Sequence, residues 1–172
     1  MDRLKEYKIA HRGLSEGTHT FDFVMDDNFF NCFDATKGTE GKVNASVNIV
    51  KSSLLMEVRM KIEGTVEAIC DRCLEEMELP ISGDLNLYAK YGEREEGNDD
   101  EDFIILAQDD DYLDLSEPLY EVYMLNYPLR VVHPEGECNE EMEHVLEELT
   151  MEEESDKIDP RWDELRKLIN NN

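Results

Sequence analysis

The sequence predicts an α+β fold, with an antiparallel β-sheet or partly closed barrel in the first two-thirds and helices packed from the C-terminal third. Three observations predict it. Apolar residues recur at every second position through the first half. They change to three- and four-residue spacing after residue 115. The chain of 172 residues is 40% hydrophobic, which is enough for one core and too short for two full domains.

The elements follow in order. Residues 18–24 read as a strand with Phe21 and Phe23 on one side. A loop or short helix is expected over residues 26–33. Val43, Ala45, Val47 and Ile49 then alternate with polar neighbours, Lys51-Ser52-Ser53 reads as a turn, and Leu54, Met56, Val58, Met60 and Ile62 repeat the pattern. The two runs predict an antiparallel hairpin with one buried face. Gly64 interrupts the second run, as a bulge or a close backbone approach would, and alternation resumes at Val66 and Ala68. Further strands are expected over residues 81–89 and 103–107. Ser116 is the expected N-cap of a helix with Pro118 in its first turn and Leu119, Val122, Tyr123 and Asn126 at helical spacing, until Pro128 stops it. Residues 140–149 predict an acidic helix with Met142, Val145, Leu146 and Leu149 as its apolar stripe. Asp159 as N-cap, Pro160 at the first helical position and Trp162, Leu165, Leu168 and Ile169 on one face predict a last helix. No internal repeat is seen. The whole, residues 1–172, reads as a single domain with flexible acidic segments near 93–102 and 135–156.

The charge is concentrated. Asp and Glu number 43 against 17 Lys and Arg, a formal net charge of −26. Residues 93–114 hold eleven acids and one base, and residues 135–156 hold eleven acids and no Lys or Arg, so the rest of the molecule is close to balanced. Both segments read as solvated surface or as a docking surface for a basic partner. A chain this acidic does not grip nucleic acid over a broad face, because phosphate binding needs Lys and Arg. Arg3, Lys5, Lys8, His11 and Arg12 offer at most a small local patch for RNA, with scattered surface charge as the plainer reading. No apolar run approaches the roughly 18 residues of a membrane span. The first residues lack the apolar region of a secretory signal, so a cytoplasmic location is expected.

Four cysteines in such a chain read as thiols or ligands rather than disulfides. Cys32, beside Phe30 and Phe33, is expected to be a buried small apolar residue. Cys70-Asp71-Arg72-Cys73 places two thiols at a strand end, where one tetrahedral metal could take both. Cys138 is available as a third ligand, with His133 and His144 flanking it at five and six residues, and spacing does not decide the fourth. The expected cofactor is none, the pair being a corner of packed, reduced thiols; zinc on Cys70, Cys73 and Cys138 is the alternative. A thioredoxin-like pair would need a helix N-terminus in a βαβ unit, whereas here the pair follows antiparallel strands and precedes Leu74-Glu75-Glu76. No Gly-x-Ser-x-Gly, phosphate loop or His-Glu-x-x-His is present, and no nucleophile has a base beside it in sequence. No catalytic residue is therefore nominated and no enzyme is expected. A thiol-disulfide or metal-dependent enzyme built on Cys70 and Cys73 is the alternative.

Three segments carry a family resemblance: Cys70-Asp71-Arg72-Cys73-Leu74-Glu75; the helix start Leu115-Ser116-Glu117-Pro118-Leu119-Tyr120-Glu121, followed by Tyr127-Pro128; and Asp159-Pro160-Arg161-Trp162-Asp163-Glu164-Leu165-Arg166-Lys167-Leu168. In this order and spacing the chain resembles the bacterial YceD family (DUF177), described as large ribosomal RNA subunit accumulation proteins. Leu14-Ser15-Glu16-Gly17 and Phe29-Phe30 also fit its N-terminal half. The resemblance implies a non-enzymatic role in the synthesis, processing or stability of large-subunit ribosomal RNA. The family's gene is often next to that of a small basic large-subunit ribosomal protein, so the implied partner is a basic ribosomal or ribosome-assembly protein. Members commonly carry a second cysteine cluster after the helix, which with the first completes a metal site. Here Cys138 matches its start, but Asn139-Glu140-Glu141-Met142 follows, so packing or hydrogen bonds are expected in place of the metal.

Overall fold

The computed structural model describes residues 4–33, 40–92, 103–107 and 109–150. The expected C-terminal helix from Asp159, the acidic residues 93–102 and 151–156, and Arg3 lie outside them. The chain divides into two compact units, Met1–His133 and Pro134–Asn172.

The first unit is built on a five-stranded sheet in the order β2-β3-β4-β5-β6, with β2 Gly17–Met25, β3 Gly41–Lys51, β4 Leu55–Ile69, β5 Glu76–Tyr91 and β6 Phe103–Leu106. β2 to β5 pair antiparallel, as the alternation requires. The sheet ends at β2 and β6 and is open, so the partly closed barrel is not the form adopted. β6 runs parallel to β5, with Tyr88 opposite Phe103. Its direction was not legible because Phe103-Ile104-Ile105-Leu106 has no alternation. A second pairing joins β1 Lys8–Ile9 to β7 Leu113–Asp114.

Alternation decides which face is buried. Val43, Ala45, Val47 and Ile49 of β3 and Met56, Val58, Met60 and Ile62 of β4 are buried, while Asn44, Ser46, Arg59 and Lys61 face water. Gly64 keeps the phase: it pairs with Val43 and Ile81 with no extra residue, so it marks a close approach rather than a bulge. Helix α2, Ser116–Asn126, supplies Leu119, Val122 and Tyr123 to the core. Its start differs from expectation. Ser116 is not the cap acceptor; the Asp114 carboxylate accepts the Ser116 N–H at 3.0 Å and also the Ser116 hydroxyl at 2.5 Å. A charged acceptor at a helix start also suits the helix dipole.

The short helix α1, Asp27–Phe30, is capped by Asp26, which accepts the N–H groups of Asn28 and Phe29 at 3.0 and 3.1 Å. It turns Phe29 and Phe30 inward, where Phe29 meets Tyr7 and Phe30 meets Tyr123, both at 4.7 Å between ring centroids. Phe33 stacks on Tyr120 at 4.2 Å. These rings join α1 to α2 over the sheet. Cys32 corrects the sequence reading: it is exposed and donates its thiol to the Asn28 carbonyl, because Phe29 and Phe30 take the inward positions of that turn. The basic N-terminal patch is also not presented as an open surface. His11 is buried, while Lys8 pairs with Asp114 at 3.3 Å and Arg12 with Asp111 at 3.2 Å.

In the second unit, helix α3 spans Glu140–Thr150. Asn139 caps it, its side-chain oxygen accepting the N–H groups of Glu141 and Met142 at 3.0 and 3.2 Å. Of its predicted stripe, Met142 and Leu146 are half-buried, and Val145 and Leu149 are exposed. Among the described residues no helix is long and apolar enough to cross a membrane.

Candidate metal centre

The turn from β4 to β5 is made by residues 70–75, and its hydrogen bonds define a knuckle. Cys70 N–H donates to the Glu75 carbonyl at 2.9 Å, which ends the strand pairing, and Leu74 N–H donates back to the Cys70 carbonyl at 2.9 Å. Arg72 N–H points at the Cys70 sulfur, 3.4 Å away. To close this loop Leu74 adopts φ of +62°, the one positive φ at a non-glycine among the described residues. Such a backbone costs a leucine about 1–2 kcal/mol, and strain of this kind is retained where the surroundings hold it for a purpose. Its side chain is left exposed, so burial there does not compensate.

The second contribution arrives from beyond α2. Pro128 ends the helix, and the chain runs back to the knuckle, where Asp71 fixes it twice. Asp71 N–H donates to the Val131 carbonyl at 2.7 Å, and its carboxylate accepts the Val131 N–H at 2.8 Å. Two residues later His133 Nδ1 lies 3.3 Å from the Cys73 sulfur. The ligand atoms of Cys70, Cys73 and His133 all lie within 4.8 Å of one another. Both thiols are buried, and His133 is half-buried.

The electrostatics favour an anionic sulfur. Burial is the largest influence on Cys70 and opposes its ionisation. The N–H groups of Cys73, His133 and Arg72 aimed at the sulfur, with the Cys73 thiol, together outweigh it and lower the pKa to about 6. His133 is shifted upward, first by its hydrogen bond to Cys70, against burial, and further by Cys73. Two thiolate sulfurs and an imidazole suit a borderline-soft cation with tetrahedral preference, zinc above all. The residues present therefore fit such an ion.

Of the residues nominated from the sequence, Cys70 and Cys73 stand together in the knuckle. Cys138 is a buried thiol in the second unit, five residues beyond His133 in the chain and just before the Asn139 cap. His144 lies on α3 and pairs with Glu148 at 3.5 Å. Sequence spacing left His133 and His144 equivalent. The Asp71–Val131 pairing separates them, and no short-range signal reports a contact between residues 60 apart.

Residues 58–169, well over half of the chain, match the family model described as large ribosomal RNA subunit accumulation protein YceD. No curated protein and no solved structure matches the chain. The match covers the knuckle, α2, the returning segment and the Asp-Pro-Arg-Trp motif from Asp159. The chain belongs to the YceD family of large ribosomal RNA subunit accumulation proteins.

Proposed function

We propose that this protein is a non-enzymatic accessory factor in the synthesis, processing or stability of large-subunit ribosomal RNA, acting by docking a basic ribosomal or ribosome-assembly protein. Family membership supplies the ribosomal context. The observation that carries the docking part is α3, whose eleven residues include Glu140, Glu141, Glu143, Glu147 and Glu148 with no Lys or Arg. Val145 and Leu149 are exposed on the same helix. Acids beside exposed aliphatic side chains are the complement of a basic amphipathic segment, with charge steering the encounter and apolar contact holding it. Direct RNA contact stays local in this reading. The net charge of −26 opposes it, and Lys8 and Arg12 are already engaged by acids.

Cells depleted of the protein are expected to show a selective fall in the ratio of large- to small-subunit ribosomal RNA, with fewer free large subunits on a gradient. Complementation with a variant carrying Glu140→Gln, Glu143→Gln and Glu147→Gln separates the two halves of the proposal. It should restore the ratio poorly, and capture of basic large-subunit proteins should be weaker and less dependent on salt. An unchanged ratio on depletion overturns the ribosomal role. Full complementation with unchanged capture overturns electrostatic docking.

One observation favours a second reading, a thiol-disulfide or metal-dependent enzyme on Cys70 and Cys73: the His133 imidazole, a base, stands 3.3 Å from the Cys73 sulfur, and the Arg72 N–H is directed at the Cys70 sulfur. The burial of Cys70 works against access by a substrate. Replacing both cysteines with Ser would leave a folded, inactive protein if they are catalytic, and a destabilised one if they are structural.

A further inference from the structure

We infer that the outer edge of β2 is a second docking surface, on which an extended basic segment of a partner protein adds as a further strand; the chemistry of that partner rests on the docking reading above. The edge is bare. Ser52 N–H donates to the Leu55 carbonyl and Glu67 N–H to the Glu40 carbonyl, so the even-numbered residues of β3 bond toward β4 and its odd-numbered residues toward β2. In the register of β2 on β3 odd residues meet odd, which leaves Thr18, Thr20, Asp22 and Val24 with N–H and C=O aimed away from the sheet. The Val24 carbonyl is taken by the Tyr7 hydroxyl at 2.7 Å. Among the described residues nothing bonds to the outward backbone groups of Thr18, Thr20 and Asp22.

The edge is also unguarded. Edge strands are commonly blunted by lysine, proline, a bulge or shortness. β2 runs nine residues in unbroken register with β3 and has no Lys, Arg or Pro, whereas the opposite edge, β6, has four residues. Its two faces specify the occupant. Phe21 and Phe23 stand opposite the buried Val47 and Ala45 yet are only half-buried, since no strand lies beyond them, and an added strand would extend the buried face over both rings. On the other face Thr18, Thr20 and Asp22 are exposed. From Gly13 to Phe33 the chain carries Glu16, Asp22, Asp26 and Asp27 and no Lys or Arg. The complementary strand therefore alternates apolar residues over the rings with Lys or Arg beside Asp22. A second copy is the poorer occupant, because it would bring another −26 to the same edge. Main-chain hydrogen bonds supply the affinity and the alternation supplies the selectivity.

The test uses the full chain and a short capped synthetic peptide alternating Lys and Val, at about 150 mM salt to screen diffuse attraction. Calorimetry should show binding, with the amides of Thr18, Thr20 and Asp22 becoming protected from hydrogen exchange. N-methylation of the peptide at every second residue keeps its charge and apolar groups. In one phase it removes the donors that face β2 and should weaken binding about tenfold or more, as the loss of one or two hydrogen bonds requires; in the other phase it should not. Thr20→Pro removes the central outward N–H, and the double variant Thr18→Lys, Thr20→Lys installs the usual guard. Each should lose the peptide while keeping the wild-type circular dichroism, and the lysine variant keeps the test informative if proline disturbs the strand. The variant carrying Glu140→Gln, Glu143→Gln and Glu147→Gln should bind the peptide as the wild type does. No binding, or equal affinity of the two N-methylated phases, overturns strand addition. Equal affinity for a peptide alternating Glu and Val overturns the basic partner. Loss of the peptide in the α3 variant with full binding by the lysine variant overturns the β2 site and leaves electrostatic docking standing. A concentration-dependent dimer that Thr20→Pro abolishes gives the edge to a second copy and overturns the inference.

Discussion

Gly64 in β4 and Gly83 in β5 both sit where the sheet is approached closely, but by different neighbours, and the same substitution should separate them. A Cβ added at Gly83 falls on the side-chain amide of Asn126 at the end of α2, which is held by its hydrogen bond to the Val122 carbonyl at 2.8 Å. A Cβ added at Gly64 falls on the Lys42 carbonyl and lies 2.5 Å from the Val43 Cα, under the 3.0 Å that real Cβ atoms keep. An amide can swing aside at the loss of one hydrogen bond, about 0.5–1.5 kcal/mol, partly offset by the roughly 0.4–1 kcal/mol that replacing glycine gains through the unfolded chain. Backbone inside a paired strand cannot swing, so Gly64→Ala should cost about 3 kcal/mol, the upper end of overpacking. At about 2–4 °C per kcal/mol for a chain of this size, Gly83→Ala lowers the midpoint by a few degrees at most and Gly64→Ala by roughly 6–12 °C. Thermal and urea unfolding followed by circular dichroism measure both. Asn126→Ala should make Gly83→Ala cost-free, a favourable coupling of about 1 kcal/mol, and should leave Gly64→Ala unchanged. Equal costs at the two glycines, or no rescue by Asn126→Ala, would refute the assignment of these contacts.

Other expectations are as direct. His11 is buried between Tyr91, whose hydroxyl is 3.0 Å from Nδ1, and the Asp110 carbonyl, 3.0 Å from Nε2. Burial, with Lys51 and Arg12 nearby, lowers its pKa against the pull of the Asp110 carbonyl. The neutral form is favoured in the folded state, so stability is full above the unfolded value of about 6.5 and falls as pH drops from there through the folded value. Urea midpoints at about pH 7.5 and about pH 5 should differ more for the wild type than for His11→Gln. Asp26→Ala should cost about 1 kcal/mol in urea unfolding at neutral pH, since it removes the acceptor for two N–H groups of α1. Leu74→Gly should raise stability by up to about 1 kcal/mol, because relief at φ of +62° exceeds what an exposed side chain contributes there. A loss above about 1 kcal/mol would show that Leu74 packs against something.

The legible parts of this protein are those with a period. Phe21, Val43 to Ile49 and Met56 to Ala68 state by alternation which face of the sheet is buried, and the hairpin between Lys51 and Leu55 follows from the turn residues between two such runs. Helix α2 is stated by spacing and ended by Pro128. The less legible parts are single decisions. Asp114 rather than Ser116 accepts at the start of α2, because a carboxylate two residues ahead reaches both the N–H and the hydroxyl. Cys32 is exposed because its two aromatic neighbours fill the interior first.

By itself the sequence determined the α+β class, the buried face of β3 and β4, the family and the Cys70–Cys73 pair, since each rests on local patterns or on short motifs in a fixed order along the chain. The tertiary structure alone decided that β6 runs parallel, that the sheet stays open, and that His133 rather than His144 stands beside Cys73. Those outcomes depend on contacts between distant segments, such as the two Asp71–Val131 hydrogen bonds, and local pattern carries no record of which distant backbone a side chain will meet.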